Sequence, residues 1–333
     1  MSENQRLTSA ARSLIRYPRF NALHQDISLC QELSVSTGEP QCMVLEGVTG
    51  AGKSTLARAY AESFPRYETD EGRKVPVFYV ETPSPVTIKG MAARMLQELG
   101  DPAAEKGTRW SMDARVIRFI QACEVQLVIL DDFHHLIDKD TNRVLNSVSD
   151  WLKVIIKETG IPYLVVGIEG TVEPILQANA QLSRLFAVRE TLRPFAWDVA
   201  QKETIEEFAS FMLYAEKSIG IPLATNMDRI ELIARIHFAT DGVVGNITNF
   251  MRLATLLAQK RNQDVIPLEI LAEAFSKRLA KHMNRENPFE APVERSFLIP
   301  PEIQPRNAPH SVSHRVRRRA RTPSVGQVLT TGG

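Results

Sequence analysis

The chain is short of several things, and each shortage closes off a class of protein. It holds only three cysteines in 333 residues, Cys30, Cys42 and Cys123. Scattered and odd in number, they build neither a disulfide framework nor a zinc site. Cys42 and Cys123 lie in or beside apolar runs, where free thiols are commonly buried, and a reducing cytoplasm follows. No stretch approaches the roughly 18 consecutive apolar residues of a membrane span, and the polar N-terminus is no signal peptide. Net charge is almost absent, at a formal +1. Any affinity for nucleic acid must therefore come from a local patch or from many copies acting together. There is no internal repeat. What remains, 44% hydrophobic and 24% charged, is the composition of a globular protein, and the length suggests about two domains.

What is present announces itself between residues 47 and 55. Gly47, Val48, Thr49, Gly50, Ala51, Gly52, Lys53, Ser54 and Thr55 fit the phosphate-binding pattern G-x-x-x-x-G-K-[S/T] without a mismatch. The glycines let backbone N–H groups close around phosphate oxygens, in conformations that a Cβ obstructs. Lys53 is placed to reach the β- and γ-phosphates, and the Ser54 hydroxyl to ligate magnesium. A chance glycine-rich turn is the bland alternative. The flanks argue against it: an apolar run, Cys42 to Glu46, leads in, and the Ala-rich, helix-favouring Leu56 to Ala61 leads out.

The same alternation organises residues 41–197. Met43–Glu46, Val75–Val80, Gln126–Leu130 and Tyr163–Val166 are near-continuous apolar runs, as expected of parallel strands buried on both faces. Helical patterns between them predict an α/β sandwich, with Gly167 and Gly170 ending the fourth strand. Residues 1–40 read as a polar helical segment broken by Pro18, with Phe20, Leu23, Ile27 and Leu29 on one face. Residues 198–285 show only helical spacing, over Ala200–Ser218, Arg229–Ala239, Asn246–Arg261 and Leu268–Met283, and read as a small helical domain. Asn287 to Glu290 breaks the last helix. Residues 286–333, rich in Pro, Ser, Thr and Arg, read as a disordered tail.

A phosphate cradle alone does not say what is done with the nucleotide. Four apolar residues, Leu127 to Leu130, followed by Asp131 and Asp132, supply the expected partner. Asp131, at the end of a core strand, coordinates magnesium directly or through water. Asp132 is placed to polarise the attacking water. Most ATPases of this type carry glutamate there, and aspartate is one methylene shorter, which predicts slow hydrolysis. His134 and His135 follow at once. They suggest a zinc site, but no second ligand cluster stands at metal spacing, and a plain loop after the strand is the simpler reading. An arginine that reaches a neighbour's γ-phosphate is expected in Gln181 to Phe186, as Arg184, with Arg189 in reserve. A surface arginine packing its stem is the alternative for both. The candidate catalytic residues are thus Lys53, Asp132 and Arg184.

Taken together these residues resemble the TniB/TnsC family of AAA+ transposition ATPases. The cradle and acid pair are generic. Asn142 to Leu145, Gln177 to Leu182, Leu192 to Phe195 and Asn287 to Glu290 are the more specific part, and the resemblance runs from about residue 10 to 290. It implies a soluble, cytoplasmic, nucleoid-associated protein that binds ATP and magnesium and assembles as a ring or helical filament on double-stranded DNA. It also implies a place between a TniQ- or TnsD-type target selector and a TnsA/TnsB-type transposase, which the protein activates, as in CRISPR-associated transposons. By matching segments, the DNA contacts would be Lys89 and Thr108, which suit phosphates rather than base edges. Lys106 and Arg109 would add charge.

The pattern departs from the family at several points. Leu185 stands where relatives place arginine directly before a phenylalanine, with Arg184 one residue earlier. Gly245 stands where a sensing arginine is usual, and Arg252, two turns further on, looks badly placed to substitute. Ile168 or Glu169 stands where a small polar sensor is usual. These changes predict an ATPase that binds well and hydrolyses slowly. Five arginines between Arg315 and Arg321 suit either phosphate clamping or an acidic partner, or a merely solvated terminus. Two other readings share the cradle: a helicase loader or initiator-like ATPase, and a small-molecule kinase. The first normally carries a winged-helix domain after the lid, and the second normally lacks the Asp131-Asp132 strand end.

Overall fold

In the computed structural model the described residues are 14–84, 87–137, 142–223 and 226–290. All belong to one compact unit, Met1–Ile299. The arginines between 315 and 321 lie outside the described residues.

Five parallel strands form the central sheet: β1 (Met43–Gly47), β4 (Val77–Glu81), β5 (Leu127–Asp131), β6 (Tyr163–Ile168) and β7 (Val188–Leu192), in the order β4-β5-β6-β1-β7. A small antiparallel hairpin, β2 (Tyr67–Thr69) with β3 (Gly72–Lys74), stands apart. The four apolar runs of the sequence are the four strands from β4 to β1. The edge strand β7 is new. Its sequence Val-Arg-Glu-Thr-Leu is only partly buried, so it lacks the apolar run that marked the others. β6 runs on through Gly167 to Ile168 rather than ending at the glycine.

Period-two alternation divides the sheet's side chains between two cores. Met43, Leu45, Leu127, Ile129, Leu164 and Val166 face α1 (Pro18–Thr37), α2 (Lys53–Glu62) and the C-terminal helices. Val44, Phe78, Val80, Val128, Leu130 and Val165 face α3 (Ile88–Leu99), α4 (Arg109–Ala122), α5 (Asn142–Thr159), α6 (Glu173–Gln177) and α7 (Ala180–Leu185). Pro18 begins α1 at its first position instead of breaking it, because a missing N–H costs nothing there. The buried face of α1 continues through Cys30 and Ser34, while Leu29 is exposed.

The C-terminal helices are α8 (Lys202–Ile219), α9 (Arg229–Thr240), α10 (Val244–Lys260), α11 (Leu268–Arg278) and the short α12 (Ala280–Met283). An aromatic cluster ties them to the sheet. Tyr17 meets Phe211 edge-on at 5.0 Å and Phe195 at 5.6 Å, and Phe195 packs on Phe208 at 5.6 Å. His237 Nε2–H donates to Phe195 O at 2.7 Å. Arg19 clamps the same junction. It makes two bonds to Glu207 and one to Arg193 O, and lies over the Phe195 ring. Packing also continues past the expected boundary at 285. Phe289 is buried and stacks on Phe250, and Asn287 Nδ2 donates to Ala272 O.

Candidate functional site

Parallel strands deliver the site to one edge of the sheet, at their C-terminal ends, where open α/β sheets bind ligands. β6 lies between β1 and β5, so the loop after Gly47 and the carboxylate of Asp131 are two strands apart. Residues 48–52 form a loop and α2 begins at Lys53. Gly52 caps that helix with φ 103°, a left-handed conformation natural only to glycine. No side chain caps the first turn, so its N–H groups remain for an anion.

Lys53 is nearly buried. Its ammonium donates to Gly47 O at 2.8 Å and Val48 O at 2.9 Å. Burial pulls its pKa down, against the opposing pull of Asp131, Asp132 and Glu46. Asp131 is fully buried. One of its oxygens accepts from the Tyr79 hydroxyl at 2.7 Å and the other from Asp132 N at 2.9 Å. Arg58 Nε donates to the Tyr79 oxygen, and its Nη2 pairs with Glu81. Burial, followed by Asp131, pushes the Tyr79 pKa up, so the phenol stays a neutral donor. The carboxylate is thereby aimed while keeping lone pairs for a cation. A buried carboxylate within electrostatic reach of a nearly buried ammonium, with a hydroxyl in the first turn of the helix, suits Mg-ATP; Ser54 and Asp131 are the residues that could hold the metal.

A cavity of about 620 Å³ opens over this edge, ample for a nucleotide. Its floor is Thr49, Gly50 and Gly52 to Thr55. Leu14, Ile15, Tyr17 and Phe20 make an apolar wall. Asp132, His134, His135 and Ile168 make the wall beyond the strand ends. Val244, Gly245, Thr248 and Arg252 of α10 close the far side. α10 touches the cradle directly: Gly245 N donates to Gly50 O at 2.8 Å.

The structure brings Lys53, Ser54, Asp132 and the loop together, with Asp131 next to them. His134 and His135 follow the strand on a turn, as the simpler reading expected, but they also face the cavity. The turn is a 3-10 turn, Phe133–Ile137, and the two rings are 4.1 Å apart. Burial and the neighbouring His135 push the His134 pKa down, with Asp132 opposing. Among the described residues no group of three or more side chains forms a metal cluster. Arg252 also lines the cavity, against the expectation that it is badly placed. Gly245, Thr248 and Arg252 fall on one face of α10, so docking its first turn on the cradle carries Arg252 over the same space.

The remaining candidates lie elsewhere. Arg184 is exposed near the end of α7, away from this chain's own cavity. Arg189 is bonded within the chain to Glu173, Ser183 and Phe186 O. Lys89 is exposed in the first turn of α3, and Lys106 and Thr108 are exposed before α4. Thr108 spends its oxygen on capping α4 through Ser111 N, and Arg109 pairs with Asp113. Tyr79 was not foreseen, since nothing in a strand sequence says which hydroxyl meets which carboxylate.

No curated protein sequence matches the chain. Among solved structures it is similar to the Aeropyrum pernix ORC1 protein in complex with DNA, at 15% identity and TM-score 0.56, covering 79% of this chain and 66% of that one. The A. pernix ORC2 protein, solved as ADPNP and ADP complexes, gives 13% identity and TM-score 0.58 over 84% and 74%. Cdc6p of Pyrobaculum aerophilum gives 14% and 0.58 over 82% and 71%. The chain thus spans about two thirds to three quarters of these proteins, and the likeness establishes an AAA+ P-loop fold. The family model of the bacterial TniB protein matches residues 7–195, more than half of the chain. The chain belongs to the TniB family.

Proposed function

We propose that this protein is an ATP-dependent regulator of DNA transposition that assembles on double-stranded DNA. The observation that carries the reading is the meeting of Thr49, Gly50 and Gly52 to Thr55 with Asp132, the neighbour of the buried Asp131, on one cavity, in a chain of the TniB family. In this reading the cradle and Lys53 hold the phosphates of ATP, Ser54 and Asp131 hold magnesium, and Asp132 orients the attacking water. The apolar wall from Leu14 to Phe20 takes the base. Magnesium, when bound, draws charge from the β- and γ-phosphate oxygens. Slow hydrolysis follows from the short Asp132 and from Gly245 in place of a sensing arginine. Arg184 acts on a neighbour's nucleotide.

Lys89, Lys106, Thr108 and Arg109 would meet DNA phosphates, each copy supplying a few contacts that assembly sums. The assembled protein would link a TniQ- or TnsD-type selector to a TnsA/TnsB-type transposase. Residues 41–197 would form the nucleotide domain, 198–285 the lid, and the tail would meet the transposase. No described helix is long and apolar enough to cross a membrane. Likeness to ORC and Cdc6 structures keeps an initiator-like or helicase-loading role as the second reading.

Mass measurement with ATP and DNA tests the choice. High-mass complexes on duplex DNA that need ATP and vanish in Lys53→Ala support the proposal. A monomer that ignores duplex DNA, or one that binds only single strands, overturns it.

A further inference from the structure

The buried carboxylate of the site ends a chain of polar contacts that begins at the protein surface. Asp131 is fully buried, and its Oδ2 accepts from the Tyr79 hydroxyl at 2.7 Å. The Tyr79 oxygen accepts in turn from Arg58 Nε at 2.9 Å, and Arg58 Nη2 pairs with Glu81 Oε2 at 2.7 Å. The outer members are open to solvent, with side chains 52% exposed at Arg58 and 50% at Glu81. Chemistry fixes the direction along the chain. A guanidinium only donates and an ionised carboxylate only accepts, so a phenol bonded to both accepts from Arg58 and gives its single hydrogen to Asp131. The guanidinium also lies over the Tyr79 ring, 5.5 Å from its centroid.

The sheet offers that hydrogen a rival destination. Tyr79 and Glu81 are two residues apart on β4 and share one face, and Glu81 stands opposite Asp131 of β5 in the register. Two carboxylates placed opposite each other on neighbouring strands repel. Arg58 supplies the counter-charge, and it engages Glu81 and the Tyr79 oxygen with different nitrogens of one guanidinium. Arg58 also lies one turn after Ser54 on the same face of α2, and both line the nucleotide cavity. One side chain therefore links the helix that carries Ser54 to the strands that carry Tyr79 and Asp131.

We propose that Arg58 is a positioning residue of the magnesium site: by holding Glu81 and the Tyr79 oxygen together, it keeps the Tyr79 hydroxyl aimed at Asp131 and fixes the helix of Ser54 against the strand of Asp131. This rests on the Mg-ATP reading above. Without the guanidinium, the hydroxyl is free to turn to Glu81, and the buried carboxylate loses the donor that orients it toward an ion.

The test uses the full chain and a fluorescent ATP analogue, titrated at increasing magnesium and again in a chelator. Arg58→Met keeps the apolar stem and removes every donor. It is expected to raise the magnesium needed for half-maximal tightening of analogue binding by about three- to tenfold, below the roughly ten- to hundredfold of a group bonded directly to a metal ligand. Affinity in the chelator is expected to be unchanged, because Arg58 acts on the ion's ligand and not on the nucleotide. In a Tyr79→Phe background the same substitution is expected to add nothing to the magnesium requirement, since the hydroxyl through which Arg58 acts is already gone. An unchanged magnesium requirement in Arg58→Met overturns the proposal. So does an equal loss of affinity in the chelator, which makes Arg58 a nucleotide contact, and so does a full additional effect in the Tyr79→Phe background. If Arg58→Met fails to fold, Arg58→Ala is read by the same criteria. If magnesium does not tighten binding to the unsubstituted protein, the Mg-ATP reading and the proposal fall together, an outcome distinct from a magnesium dependence that ignores Arg58.

Discussion

The amide of Gly245, in the first turn of α10, donates to the carbonyl of Gly50 at 2.8 Å. The glycine-rich loop and the helical region are therefore joined by backbone. A Cβ built on Gly245 would lie 2.8 Å from Gly50 O and 3.2 Å from its Cα. Neither atom is a flexible side-chain end, so something must shift.

Gly245→Ala is accordingly expected to weaken ATP binding by about tenfold, roughly 1.4 kcal/mol, with little loss of overall stability. Titration with a fluorescent nucleotide and a thermal melt measure the two separately. Unchanged affinity would show that the contact is incidental to the cradle's shape.

Tyr79→Phe removes the hydroxyl that aims Asp131. Losing one hydrogen bond to a buried carboxylate is expected to cost about 1–3 kcal/mol of stability, read by denaturant titration. Half-maximal turnover should need more magnesium, because the carboxylate is no longer held for the ion. ATP binding in the presence of a chelator should be unaffected.

Arg184 and Arg189 should part company. Arg189→Ala breaks bonds to Glu173, Ser183 and Phe186 O and is expected to lower the melting temperature by a few degrees, about 1 kcal/mol. Arg184→Ala touches no ion pair among the described residues. It should leave the melt and ATP affinity unchanged while reducing turnover in the DNA-bound assembly. Equal effects from both would remove Arg184 as the finger.

Stability should fall on the acid side of neutrality. Burial pushes the His237 pKa below its ordinary value; the Phe195 carbonyl and Asp241 oppose this, and Arg285 adds to it. The unfolded chain then takes up the proton first, near pH 6.5, so this contribution is intact above that pH and declines as pH drops below it. His24 and His134 are lowered in the same direction. Denaturant melts from about pH 7.5 to about pH 5, across the histidine range, should show the decline. It should be shallower in His237→Gln, and an identical slope would assign the effect elsewhere.

Much of this was legible in the chain. The cradle could be read because all its chemistry is local: glycines, a lysine and a serine at fixed spacing, with a strand before and a helix after. β1, β4, β5 and β6 could be read because buried parallel strands leave continuous apolar runs. β7 could not, since an edge strand of Val-Arg-Glu-Thr-Leu carries no such run, and its place is fixed by pairing with β1, where Gly47 meets Leu192.

The sequence by itself determined that a glycine-rich loop would join a strand to a helix at Gly47–Thr55, that a carboxylate would end a core strand at Asp131, and that helices would follow. These depend on neighbours along the chain, whose geometry propensity and spacing dictate. Only the tertiary structure decided that Tyr79 would aim Asp131, that Gly245 would bond the cradle, and that His134 and Arg252 would face the same cavity. Each of these joins residues on different elements, and their meeting depends on strand order and on how α10 docks. No local pattern carries that information, because the free energy that fixes it comes from burying the two cores together.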